Sequence, residues 1–133
     1  VAVVYFVTLC IEGRRRVLDN AAALEALRRV RARIQGWKIH SAVLMPDHLH
    51  LLVAPLDREA RLGNFTGAVK RWVRQELAAE WTWQPGCFDR LLRHEESLQQ
   101  KWEYMRENPV RAGLVTQWQD WPWRIGLDEA ETL

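Results

Sequence analysis

Residues 37–54 place the tightest constraint on how this chain can fold. WKIHSAVLM (37–45) and HLHLLVA (48–54) are two strand-forming runs parted only by Pro46-Asp47. Proline presets φ at a turn position and aspartate bonds its own backbone, so the two runs predict a β-hairpin ended by Pro55. Side chains alternate across a strand. His48 and His50 therefore share one face, while Leu49, Leu51 and Val53 share the other.

The remaining segments supply partners for that hairpin. Residues 2–11 are rich in Val, Ile and aromatic side chains and stop at Gly13, which predicts a first strand. Asp19 or Asn20 can cap a helix over 20–35, with Leu24, Leu27, Val30 and Ile34 at helical spacing and Gly36 beyond it. A second helix is expected over 61–80, with Leu62, Phe65, Val69, Trp72 and Leu77 as its apolar stripe. CFDRLLR (87–93) reads as a short extended piece. A third helix is expected from Glu95 to Glu107, with Leu98, Trp102 and Met105 facing the core and Asn108-Pro109 as its stop. Trp118, Trp121 and Trp123 are expected to pack on the body. Hairpin-linked strands interleaved with helices predict an α+β fold, an antiparallel sheet with helices packed on it in a ferredoxin-like arrangement. Such a scaffold carries many activities.

At 133 residues, the chain reads as one domain over 1–133, long enough to bury a core without staples. Its 48% apolar and 27% charged residues are the balance of a globular protein. No apolar run approaches the ~18 residues of a membrane span. Residues 1–11 have no basic leader or small-residue cleavage site and read as a strand, so membrane and secreted classes are set aside. Cys10 and Cys87 match no zinc spacing or disulfide framework, and a reduced, cytoplasmic protein is expected.

Charge is uneven. Residues 1–75 carry thirteen Lys/Arg against six Asp/Glu, whereas 76–133 carry six against eleven. Arg14, Arg15, Arg16, Lys70, Arg71 and Arg74 are the candidate nucleic-acid surface, although ordinary solvated helix faces give the same pattern.

His48 and His50 have Cα atoms roughly 6.5–7 Å apart along a strand, so both imidazoles can converge on one divalent cation. A bare H-x-H is more often a hydrogen-bonded pair, and spacing alone leaves both readings open. His40 on the neighbouring strand is a candidate outer-shell group. Tyr104 and Asn108 lie four residues apart, about 40° round one helix flank, beside the core stripe. Asn108 offers a neutral carbonyl ligand for a hard cation. A cation near Tyr104 would favour its phenolate. Packing and helix capping are the bland alternatives for this pair.

HSAVLMPDHLHLLVAPL (41–56) and WQPGCFDRLLRHEESLQQKWEYMRENPVRAGLV (83–115) resemble the REP-associated tyrosine transposases, where REP denotes a repetitive extragenic palindrome. These are grouped with the insertion-sequence-200-like, single-tyrosine HUH transposases. The resemblance implies an HUH endonuclease fold in which His48 and His50 bind Mg²⁺ or Mn²⁺ and Tyr104 is the nucleophile. Asn108 falls where relatives place a polar third ligand. It further implies cleavage of single-stranded DNA beside a hairpin through a 5′-phosphotyrosine, and rejoining by a 3′ hydroxyl without ATP. Monomer and homodimer both stay open. Trp121-Pro122-Trp123-Arg124 stands where members often carry Trp-Ser-Ser, so target choice is left unassigned. Two other classes remain: an idle single-stranded nucleic-acid binder on this scaffold, and a metallo-phosphoesterase using water as nucleophile.

Overall fold

β-Branched and aromatic residues build the first strand, β1 (Val4–Cys10), in a computed structural model that describes residues 3–128. Asn20 then caps α1 (Ala21–Arg33), its side-chain oxygen accepting the Ala23 N–H at 2.9 Å. The expected hairpin follows as β2 (Trp37–Leu44) and β3 (His48–Pro55). After it come α2 (Leu62–Leu77), β4 (Phe88–Leu92), α3 (Glu95–Arg111) and the two-residue β5 (Arg124–Ile125). Short 3-10 turns occupy Glu12–Arg14 and Trp118–Asp120. No helix among the described residues is long and apolar enough to cross a membrane.

The sheet runs β4-β1-β3-β2-β5, every neighbouring pair antiparallel. Its first four strands with α1 and α2 make the β-α-β-β-α-β ferredoxin-like unit that the sequence predicts. Strand alternation sorts the side chains into two layers. Val7, Leu9, Leu49, Leu51 and Val53 pack with Leu27, Val30, Phe65 and Val69 of α1 and α2. Val4, Val43 and Leu52 face the other way and meet Leu98, Trp102 and Met105 of α3. The expected stripe of the third helix is thus buried, on the sheet face opposite α1 and α2.

Two helix ends and one short strand differ from the sequence reading. The third helix does not stop at Asn108-Pro109 but continues to Arg111, with Pro109 buried inside it. A proline in the last turn forfeits one backbone bond. The Ala112 N–H to Asn108 and the Leu114 N–H to Pro109 carbonyl bonds keep the turn closed. The second helix ends at Leu77 rather than near 80, because Ala78 turns left-handed (φ 46°) and Arg74 Nε reaches round to the Trp81 carbonyl at 2.8 Å. The fifth strand carried no legible signal. Trp121 anchors it, donating from Nε1 to the Leu44 carbonyl at 3.0 Å.

Gly126 closes that tail against the sheet. Its φ is +67°, and a Cβ there would stand 2.5 Å from the His40 carbonyl oxygen. Trp102 Nε1 meanwhile donates to the Gly126 carbonyl at 2.9 Å, fixing α3 beneath it. Gly126→Ala is therefore expected to cost about 2–4 kcal/mol, from left-handed strain plus the backbone clash. Thermal unfolding measures it; an unchanged Tm would contradict the tight approach.

Candidate active site

β3 runs between β1 and β2, which sets His50 opposite Thr8 and His48 opposite Cys10. Both histidines point to the α3 face, as alternation requires. Their ring centroids are 4.7 Å apart at 78°, so the imidazoles meet edge to face. Each ring is fixed from behind. Asp47 Oδ1 lies 2.7 Å from His48 Nδ1, and Asp47 Oδ2 accepts from Arg14 Nε at 2.9 Å. Thr8 Oγ1 and His50 Nδ1 share a hydrogen bond of 2.8 Å. Asp47, a carboxylate, accepts from His48 Nδ1–H, and Thr8 holds His50 by Nδ1, so Nε2 is the remaining nitrogen of each ring.

Electrostatics favour neutral imidazole at His50. Burial, reinforced by like charge from His48 and Lys101, pushes its pKa down to about 3, against a weak opposing pull from Asn108. Burial alone would raise the Asp47 carboxyl, but Arg14 and His48 outweigh it and hold it below its ordinary range. Both groups therefore bind fewer protons folded than unfolded in acid. Their stabilisation is fully present above about pH 6.5 and is lost as pH falls toward 3. In EDTA, His50 alone is expected to remove about 2–3 kcal/mol between pH 7 and pH 4.5. Melts of wild type and His50→Ala across that range test this; parallel profiles would show that His50 is not the group responsible.

Tyr104 stands on α3 above this pair. Its ring centroid lies 6.2 Å from that of His50 and 6.1 Å from that of Phe6, edge-on to both. The residue is 41% exposed, so a substrate can reach the phenol. Two cations flank it. The Arg111 guanidinium carbon lies 4.0 Å from the ring centroid, and Lys101 Nζ lies 4.8 Å from it and 4.8 Å from that of Phe6. Arg111 also donates to the Tyr104 carbonyl, which ties it to the same helix. Burial, then Arg90 and Arg111, lowers the Lys101 pKa. A cluster of positive charge so close together favours an anion. Tyr5 packs on the opposite sheet face, 5.8 Å from Trp37, and shares nothing with this site.

Asn108 completes the arrangement. Its Oδ1 is buried beside His50, close enough to oppose the fall of that group's pKa, yet makes no hydrogen bond of full geometry. Among the described residues no three His, Cys, Asp or Glu side chains gather around a point that could hold a metal. A cation here would thus take two imidazole nitrogens and the Asn108 oxygen, with further oxygens from substrate or water. The oxygens of that set fit Mg²⁺ or Mn²⁺, and the two imidazoles favour the softer Mn²⁺ of the pair.

The candidate basic surface divides. Arg14 is engaged with Asp47, and Arg14 and Arg16 border a depression of about 270 Å³ that reaches His48. Arg15 pairs with Glu80 at 2.5 Å on the surface. Lys70 donates to the carbonyls of Gln84 (2.8 Å) and Gly86 (2.5 Å), and Arg74 holds the Trp81 carbonyl. Arg71 leans toward Trp72, 5.7 Å from its ring centroid. Lys70 and Arg74 therefore shape the 79–86 loop as much as they present charge. His40 is buried on β2, where its Nδ1 meets Ser41 Oγ at 3.1 Å. Sequence reading missed Thr8, Asp47, Lys101 and Arg111.

No family model matches the chain. A REP-associated tyrosine transposase of Escherichia coli (strain K12) is 23% identical over 90 residues, covering 68% of this chain and 54% of that relative. The chain thus spans about half the length of the curated relative it matches. Among solved structures, it is similar to a REP-associated tyrosine transposase bound to a REP hairpin. That match has a TM-score of 0.78 and 21% identity, over 91% of this chain and 74% of the other. A protein from Deinococcus radiodurans R1, provisionally called a transposase, matches with a TM-score of 0.57 and 19% identity, over 78% and 88% of the two chains. These likenesses establish that the fold is that of the tyrosine transposases.

Proposed function

We propose that this chain cleaves and rejoins single-stranded DNA beside a hairpin, with Tyr104 as nucleophile and a 5′-phosphotyrosine as intermediate. The observation that carries the reading is one accessible phenol, flanked by Lys101 and Arg111, above an oriented pair of imidazoles, His50 buried and His48 half-buried. The similarity to a transposase bound to a REP hairpin supports the choice of substrate.

Lys101 and Arg111 draw the scissile phosphate against the ring and offset its charge. Tyr104 Oη gives up its proton to water and attacks phosphorus. The P–O3′ bond breaks as the Tyr104–phosphate bond forms, and the departing 3′ oxygen takes a proton. In the reverse direction a 3′ hydroxyl attacks the same phosphorus and Tyr104 leaves. One phosphodiester is exchanged for another, so no external energy source is consumed. His48 Nε2, His50 Nε2 and Asn108 Oδ1 would hold Mg²⁺ or Mn²⁺, which supplies Lewis-acid stabilisation of charge on the phosphoryl oxygens when bound. Asp47 and Thr8 hold the two rings by their Nδ1 atoms, so Nε2 of each is the nitrogen left to meet a cation.

A labelled hairpin oligonucleotide with a single-stranded flank, incubated with Mn²⁺ and run on a denaturing gel, tests the reading. A protein-linked product that forms with Mn²⁺ and not with EDTA is expected. Free cleaved strands with no adduct would favour water as the nucleophile, and intact DNA would favour an idle binder.

Affinity for that oligonucleotide is expected to fall steeply with salt, by a log–log slope of about −0.7 per phosphate contacted. Arg16→Ala and Arg71→Ala are expected to flatten the slope, since neither cation is engaged as Arg14 and Arg15 are. An affinity that ignores salt would remove the basic surface from the binding face.

A further inference from the structure

Phe88 is 69% exposed, the most exposed of the large apolar side chains described. Leaving a phenylalanine in water forfeits roughly 1.5–3 kcal/mol of burial, so its position calls for a reason. It sits on β4, the edge strand, in register with Thr8 of β1, which is itself in register with His50 of β3. The three residues form one cross-strand row. Alternation puts Phe88 and Arg90 on the same sheet face as the histidine pair, with strands about 4.8 Å apart. Phe88 therefore stands roughly 10 Å from His50, at the open margin of the site.

The approach to Phe88 is held in place. Lys70 grips the carbonyls of Gln84 and Gly86, and Gly86 takes a φ of +73° that turns the chain into β4. Phe88, Pro85, Thr8 and Cys10 line a hollow of about 160 Å³. Along the same edge, Arg90, Ser97, Gln100, Lys101 and Tyr104 line a second hollow of about 260 Å³. An apolar ring thus leads directly to a cationic hollow that contains the phenol.

We infer that Phe88 is a stacking platform for an unpaired base next to the reacting phosphate, with Arg90 and Lys101 receiving the adjoining backbone. The inference rests on the proposed strand-transfer reading and names a subsite for it. Every base has a π-face, so the platform accepts any base. A base paired in a duplex cannot lie on it, so the platform selects single-stranded DNA at the cleavage point. The occupant is DNA rather than a second copy of the chain because the positive charge of Arg90 and Lys101 adjoins the ring.

The test is binding in EDTA, where cleavage chemistry is silent, using the full chain and a hairpin oligonucleotide with 2-aminopurine at successive flank positions. One position is expected to lose fluorescence on binding. Phe88→Ala is expected to abolish that quench and weaken affinity about tenfold, and Phe88→Tyr to restore both. Unchanged affinity and quench in Phe88→Ala would overturn the inference. So would a sedimentation shift from dimer to monomer that accounts for the loss, since Phe88 would then serve a chain–chain contact. An absent covalent adduct with the quench intact would instead count against Tyr104 chemistry alone.

Discussion

Tyr104→Phe is expected to abolish strand cleavage, by more than about a thousandfold, while fold and DNA affinity survive. The change removes one oxygen from a ring that Phe6 and His50 meet edge-on, so its packing is retained. Lys101 and Arg111 remain beside the ring and still attract the phosphate. Neither cation can replace the phenol, because neither presents an oxygen that can bond phosphorus and later depart. Tyr5 cannot substitute either, since the sheet separates it from the site. A denaturing gel measures the loss, with melting temperature and filter binding as controls. Cleavage at wild-type rate in the phenylalanine variant would remove Tyr104 from the chemistry.

His50→Ala is expected to have an effect of the same order, with cleavage falling to background and Mn²⁺ affinity lost by calorimetry. His50 is buried at the centre of the sheet and gains its orientation from Thr8, so nothing nearby can take over its nitrogen. Asn108→Ala is expected to reduce the metal-assisted rate more than DNA affinity, because the role proposed for its amide oxygen is to hold a cation rather than the strand. Full activity of wild type in EDTA would contradict the metal reading for His48, His50 and Asn108 alike. Mn²⁺ binding that survives in His50→Ala would move the cation elsewhere.

The hairpin and the histidine alternation were legible because period-two patterning around Pro46-Asp47 admits one arrangement. The Tyr104–Asn108 flank was legible for the same reason at helical period. The same helical arithmetic also reaches Lys101 and Arg111, three residues before and seven after Tyr104, and so on the same side of α3. They were overlooked because the second part of the chain is acidic overall, and net charge averages away a local cluster. Thr8 was out of reach for another reason. Its place behind His50 is set by β1–β3 register, between residues 42 positions apart, which no local pattern records. Asp47 was read as a turn residue, although its neighbour His48 already offered it a partner. Pro109 misled because a breaker in the last turn of a helix costs one bond, and buried packing beneath it outweighs that loss.

Strand transfer by Tyr104 requires that its phenol oxygen become joined to DNA. A hairpin oligonucleotide with a single-stranded flank, reacted with wild-type protein and Mn²⁺, then digested with protease and nuclease, leaves a nucleotide-tagged peptide for mass spectrometry. The tag is expected on the peptide spanning residues 102–106, with fragmentation placing it on Tyr104. A tag on Ser97 or Tyr5, or cleaved DNA with no tagged peptide, would contradict it.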